Sequence, residues 1–148
     1  MSQQDVEIIR RIYASMDLSA PGSVSRFDGP DESIQGLIDP EIEWQGPREF
    51  PDLAETVHGY AGMARYGAKI AEALDDYRMV PERFIDAGGD HVLVFSREGG
   101  RGKSSGAEVL THLTAHLWTL KDGKAVRMQS YWERADALEA VGLSEPQV

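Results

Sequence analysis

The sequence has 148 residues, no cysteine, and 15 Lys and Arg against 25 Asp and Glu, a formal net charge of −10. That length suits one domain spanning residues 1–148, large enough to bury roughly two-thirds of the surface its unfolded chain exposes. The missing cysteines exclude disulfide frameworks, thiol nucleophiles and thiolate zinc sites together.

At 41% apolar and 27% charged residues, the composition is that of a globular chain. No apolar run reaches the roughly 20 residues that span a bilayer. The Met1-Ser2-Gln3-Gln4-Asp5 start lacks the basic and apolar stretches of a secretory signal. The expectation is a soluble, cytoplasmic protein without a membrane partner. Residues 1–60 carry 4 basic and 12 acidic side chains, and 61–148 carry 11 and 13. No basic stripe is available for a phosphate backbone, so a nucleic-acid partner is not expected.

Val6, Ile9, Tyr13 and Met16 recur at helical spacing, with Ile8 and Ile12 widening the stripe, and predict a first helix. Pro21-Gly22 and Gly29-Pro30 mark turns. Asp31 is placed to cap a short helix that buries Ile34, Leu37 and Ile38 and stops at Pro40. Ile42–Gln45 alternates as a short strand closed by Gly46-Pro47, and 47–58 reads as an irregular loop. Met63, Tyr66, Ile70 and Leu74 predict a helix from Gly59 to Leu74.

Strands follow over Arg78–Asp86, His91–Glu98, Glu108–Leu120 and Lys124–Trp132, separated by glycine-rich turns that favour antiparallel hairpins. Leu110, Leu113, Leu117 and Leu120 would also suit a helix. The flanking glycines, Thr111, Thr114, Thr119 and the Asp122-Gly123 turn decide for strand. Ala135–Val141 is a last short helix, with Gly142 as its cap and Leu143 as the apolar partner. Helices followed by an antiparallel sheet make an α+β domain.

Gly102-Lys103-Ser104-Ser105-Gly106 matches the pattern of a nucleophile elbow, but it lies between antiparallel strands instead of between strand and helix. As a phosphate loop it fails, because the first required glycine falls on Arg97. His112 and His116 would share a helix face. In a strand they sit about 13 Å apart, too far to chelate one metal, so no metal is expected.

Strand alternation sends His112, Thr114, His116 and Trp118 to one face and Leu113, Ala115 and Leu117 to the other. Met128, Ser130 and Trp132 share a face of the next strand, and Trp44 lies on the first strand. Large aromatics with a few polar groups suit a small-ligand pocket, although Trp and Met also fill ordinary cores. His91 and His58 read as surface residues, with His58 also placed to guard a pocket mouth.

Several stretches carry a resemblance across the whole chain: Ile38–Trp44, His58-Gly59, Phe84–Gly88, Ala115–Lys124 and Ala137–Leu143. The chain resembles the SnoaL-like family of the nuclear transport factor 2-like superfamily, which also holds ketosteroid isomerase, scytalone dehydratase and limonene epoxide hydrolase. The resemblance implies a cone-shaped α+β barrel, a curved antiparallel sheet wrapped around the N-terminal helices and enclosing an apolar pocket. It also implies a homodimer formed through the convex face.

Matched to ketosteroid isomerase by element, the helix-1 tyrosine falls on Ile12, with Tyr13 one residue off. The base falls on Gln45 or Gly46, and the later aspartate on His116 or Ala115. Gln45 takes no proton and Gly46 has no side chain, which speaks against isomerisation by that route. The aspartate of the SnoaL-type cyclases also falls near His116, and histidine suits acid–base work near neutral pH.

The resulting expectation is a pocket protein for a small apolar or aromatic molecule. Met16, Trp44, Tyr66, Ile70, Thr114, Trp118, Met128, Ser130 and Trp132 would line the pocket. Three roles stay open: a binder without chemistry, a cofactor-independent acid–base enzyme using His116 with His112 or Tyr13, and a dimeric interaction domain. His116→Ala is expected to weaken turnover while leaving the fold intact.

Overall fold

The computed structural model describes residues 2–18, 27–102 and 108–144. The first apolar stripe forms helix α1 (Ser2–Met16), which buries Val6, Ile9, Ile12 and Tyr13. The segment after Asp31 departs from expectation. The Asp31 carboxylate accepts the Ser33 N–H at 2.7 Å, making a local turn in place of a helix cap, and only a 3-10 turn, Gln35–Leu37, follows. Strand β1 (Ile38–Gln45) therefore starts before Pro40 and runs through it. Its register shifts between Ile38 and Glu43, where the proline has no N–H to give.

The stretch expected as irregular holds a single helical turn, α2 (Pro51–Ala54), with proline at its start, and a two-residue strand, β2 (Val57–His58). Helix α3 (Gly59–Ala73) passes directly into β3 (Leu74–Asp86), so this strand begins four residues earlier than its alternation suggested. Then come β4 (His91–Gly102), β5 (Glu108–Lys121), β6 (Lys124–Tyr131) and α4 (Arg134–Ala140). Residues 108–120 are thus strand. Pro21-Gly22 and Ser104 lie outside the described residues.

Local chemistry closes these elements as read. Asp122 and Gly123 both take positive φ, 52° and 77°, as a two-residue hairpin turn requires. After α4, Leu143 N–H reaches the Leu138 carbonyl at 2.9 Å and Gly142 N–H reaches that of Glu139 at 3.1 Å, with Gly142 at φ 71°. This is the glycine-ended helix stop anticipated from the sequence.

The six strands form one curved, unclosed sheet in the order β2-β1-β6-β5-β4-β3. All pairs are antiparallel except β1 with β6, which is parallel. The concave face packs against α1 and α3 through a core that includes Ile9, Ile12, Ile42, Met63, Val92, Val94 and Met128. On the other face, Leu93, Phe95, Ala115 and Leu117 pack under Ala137 and Leu138 of α4.

Arg134 fastens α4 to the sheet. It donates to the Thr114 carbonyl at 3.0 Å and the Ser96 carbonyl at 2.8 Å, pairs with Glu82 at 2.9 Å, and lies 4.5 Å over the Phe95 ring. Among the described residues, no helix is long and apolar enough to cross a membrane.

Candidate functional site

Strand register builds the site. Across β4 and β5, Val92 faces Trp118, Val94 faces His116, Ser96 faces Thr114, and Glu98 faces His112. On the far side of β5, His116 faces Ser130 and Trp118 faces Met128, while Trp44 of β1 also pairs with Met128. Period-two alternation sends these side chains to the concave side.

A continuous hydrogen-bonded chain crosses that face. His116 donates Nε2–H to the Glu98 carboxylate at 3.0 Å, and its Nδ1 lies 2.6 Å from the Tyr13 hydroxyl. Trp118 donates its indole N–H to the same hydroxyl at 2.9 Å. Thr114 donates to the Glu98 oxygen that His116 uses, and Tyr77 donates to the other. Ser96 Oγ stands 2.7 Å from Thr114 Oγ1 and completes the cradle. The side chains of His116 and Glu98 are only 9% and 16% exposed, so their pairing is barely screened by water.

Burial alone would raise the Glu98 pKa. The His116 hydrogen bond and charge, aided by the Thr114 and Tyr77 hydroxyls, outweigh it and hold the carboxyl at about 2. Glu98 is therefore an anion at neutral pH. Burial pushes Tyr13, Tyr66 and Tyr77 upward, and the Glu98 charge adds to this at each, so all three phenols keep their protons.

The chain gathers Tyr13, Thr114, His116 and Trp118 from the residues singled out by sequence. Ser130 is nearby as the strand partner of His116. Ile70 and Met128 are buried in the same core, and Met16 packs on it. His112 stands apart. Its Nε2–H donates to the Trp132 carbonyl at 2.9 Å, and its ring stacks on Trp132 at 3.7 Å, with Phe50 edge-on to the same indole at 4.8 Å. No described bond joins His112 or Trp132 to the Glu98–His116–Tyr13 chain. His58 is exposed, and His91 is half-buried with its ring 3.3 Å from Thr119 Oγ1.

Glu98 and Tyr77 were not among the residues chosen by sequence. Glu98 closed a predicted strand whose inward positions, Val92, Val94 and Ser96, already pointed to it by alternation. Tyr77 fell just before the predicted start of its strand.

Trp44 is buried, with its ring edge-on to Trp118 at 5.5 Å and near Tyr66 at 6.0 Å. Its indole N–H has no hydrogen-bond partner, and no other buried side-chain polar atom among the described residues shares that condition. A separate groove of about 580 Å³ lies between the Gly46–Glu49 turn, the end of β6 and α4. Ser130 lines it, but Tyr13, Glu98 and His116 do not. Among the described residues, no three His, Asp or Glu side chains are grouped to hold a metal ion.

Gly46 sets the wall beside Trp44. A Cβ there would lie 2.5 Å from the Leu53 carbonyl oxygen and 2.8 Å from the Tyr66 ring. Gly46→Ala is expected to cost about 1–3 kcal/mol and to move Tyr66, because the Leu53 carbonyl cannot yield as a flexible side chain would. Urea unfolding checks this, and an unchanged midpoint would refute the close approach.

Comparison with known proteins places this geometry. Residues 24–128 match the model of the SnoaL-like domain. TerC, whose crystal structure was determined with polyporic acid, is 28% identical, with a TM-score of 0.66 over 94% of this chain and 98% of TerC. An NTF2-like protein from Burkholderia thailandensis E264 is 23% identical, with a TM-score of 0.69 over 92% and 95% of the two chains. A protein of ketosteroid isomerase-like fold from Catenulispora acidiphila DSM 44928, in complex with trimethylamine, is 15% identical, with a TM-score of 0.61 over 96% and 97%. No curated protein sequence matches. With more than half of its length matched by the family model, and with the same fold in these structures, the chain belongs to the SnoaL-like family.

Proposed function

We propose that this chain is a cofactor-independent acid–base enzyme acting on a small aromatic molecule. His116 carries the proton, Glu98 is its anionic partner, and Tyr13 is the hydroxyl that meets the substrate. One observation carries the reading: both ring nitrogens of His116 are bonded to side chains, an ionised carboxylate on one and a phenol on the other. A histidine that only fills a binding pocket needs no such pair.

The logic is that of a nucleophile–histidine–carboxylate triad with a phenol at its outer end. Glu98 holds the proton on Nε2, which leaves Nδ1 as the basic nitrogen facing Tyr13. While the ring is neutral, the Tyr13 proton points to Nδ1. When the Tyr13 oxygen accepts a proton from the substrate and passes its own to Nδ1, the ring becomes an imidazolium and Nδ1 donates to the Tyr13 oxygen instead. With Trp118 donating there too, both lone pairs of that oxygen are filled, and the phenolic proton is free to turn toward a substrate oxygen. Glu98 stabilises the imidazolium without itself accepting the proton. The same groups run in reverse return the proton.

The aromatic setting of Trp44, Tyr66, Phe84 and Trp118 supports a flat, apolar substrate. TerC with polyporic acid supports the same class.

Solvent-deuterium incorporation into enolisable aromatic ketones, such as the tetralones, followed by mass spectrometry, tests the chemistry. Tyr13→Phe keeps the ring and removes the hydroxyl. It is expected to slow exchange by about 10²-fold or more. Equal exchange rates in both proteins would sink the proposed role of the chain.

A further inference from the structure

We infer that the Trp44 indole N–H is the donor that anchors the substrate, taking a carbonyl or hydroxyl oxygen on a planar aromatic molecule. This rests on the acid–base reading above and adds to it the polar feature the substrate must carry. The starting observation is the unpartnered N–H of a side chain that is 8% exposed. Burying a donor without an acceptor is costly, and native proteins leave few such groups. A position that served packing alone would be filled by phenylalanine at no such cost.

Its place in the fold points to the missing acceptor. The Trp44 ring meets the edge of Trp118, whose own N–H holds the Tyr13 hydroxyl, so one aromatic ring separates the orphan donor from the proton chain. Tyr66 also packs its ring against Trp44, at 6.0 Å. The orphan donor therefore belongs to a cluster of aromatic rings that includes two phenols, Tyr66 against Trp44 and Tyr13 against Trp118. A planar molecule with an oxygen toward Trp44 and its reacting atom toward Tyr13 fits that arrangement. A hydrocarbon of the same shape leaves the donor as it is.

Wild-type and Trp44→Phe proteins, titrated with 1,4-naphthoquinone and with naphthalene as the oxygen-free control, test the inference by calorimetry and indole ¹H–¹⁵N spectra. The absence of cysteine leaves no thiol to trap a quinone. The expected result has two parts. The Trp44 indole signal shifts with the quinone and not with naphthalene. Trp44→Phe weakens quinone binding about tenfold or more and leaves naphthalene binding alone.

Equal effects on both probes overturn the anchor, and so does an indole signal of Trp44 that ignores the quinone. If Tyr13-dependent exchange stands while Trp44→Phe binds the quinone normally, the anchor alone fails. If the anchor holds while Tyr13→Phe exchanges normally, the acid–base reading alone fails. If neither probe binds wild type, the anchor falls, and the Tyr13-dependent exchange alone decides the acid–base reading.

Discussion

His116→Ala is expected to destabilise the protein by about 3–5 kcal/mol as well as to remove the proton chain. The imidazole is the main group holding Glu98 as an anion in a setting where burial acts against the charge. Taking away one partner of a buried pair leaves the other uncompensated, which costs more than the pair contributes. The Glu98 carboxyl should then rise above its ordinary range, because burial becomes the larger influence. This revises the expectation from sequence that the substitution would spare the fold. Urea midpoints of the single variant and of His116→Ala/Glu98→Gln provide the check. The double variant should recover a substantial part of the loss, because a neutral amide needs no counter-charge. A loss below about 1 kcal/mol in the single variant would show that Glu98 does not depend on its bond from His116.

Acid titration should expose the same couple from the other side. Glu98 is held at about 2, against 4.5 for an ordinary glutamate. A folded-state value below the unfolded one adds stability above about pH 4.5, and that contribution fades as pH falls toward 2. Wild type should therefore exceed Glu98→Gln in stability at pH 7, with the gap narrowing through pH 4 and 3. A gap that stays constant or widens on acidification would contradict the depressed value.

Much of the frame was legible because its signals are local. The α1 stripe, the Asp122-Gly123 turn and the Gly142 stop each depend on residues within one element or its ends, and each is observed. Pairing across distance has no such signature. Nothing near Ile38 or Ala125 announces that their strands run parallel, and Pro40, a stop signal for a helix, proved compatible with a strand that shifts register around it.

The site divides in the same way. Thr114, His116 and Trp118 were readable from the alternation of one strand. Tyr13 stood out on helix periodicity. Their contact, and the part played by Glu98, required two strands and a helix to come together. His112 shared the expected face and lies opposite Glu98 across the strands, but its ring is engaged by Trp132, while the Glu98 carboxylate is taken by Tyr77, Thr114 and His116.

Arg134 supports the site from the opposite face of the sheet. Its guanidinium joins the carbonyls of Ser96 and Thr114, the two residues whose hydroxyls line the approach to Glu98. Hydrogen bonds to a charged donor contribute about 1.5–3 kcal/mol each, so spreading these two strands would forfeit a bond on either side. The rivet sits on the back of the sheet, so the spacing of the two strands that mount the carboxylate is held from the face opposite the His116 chain.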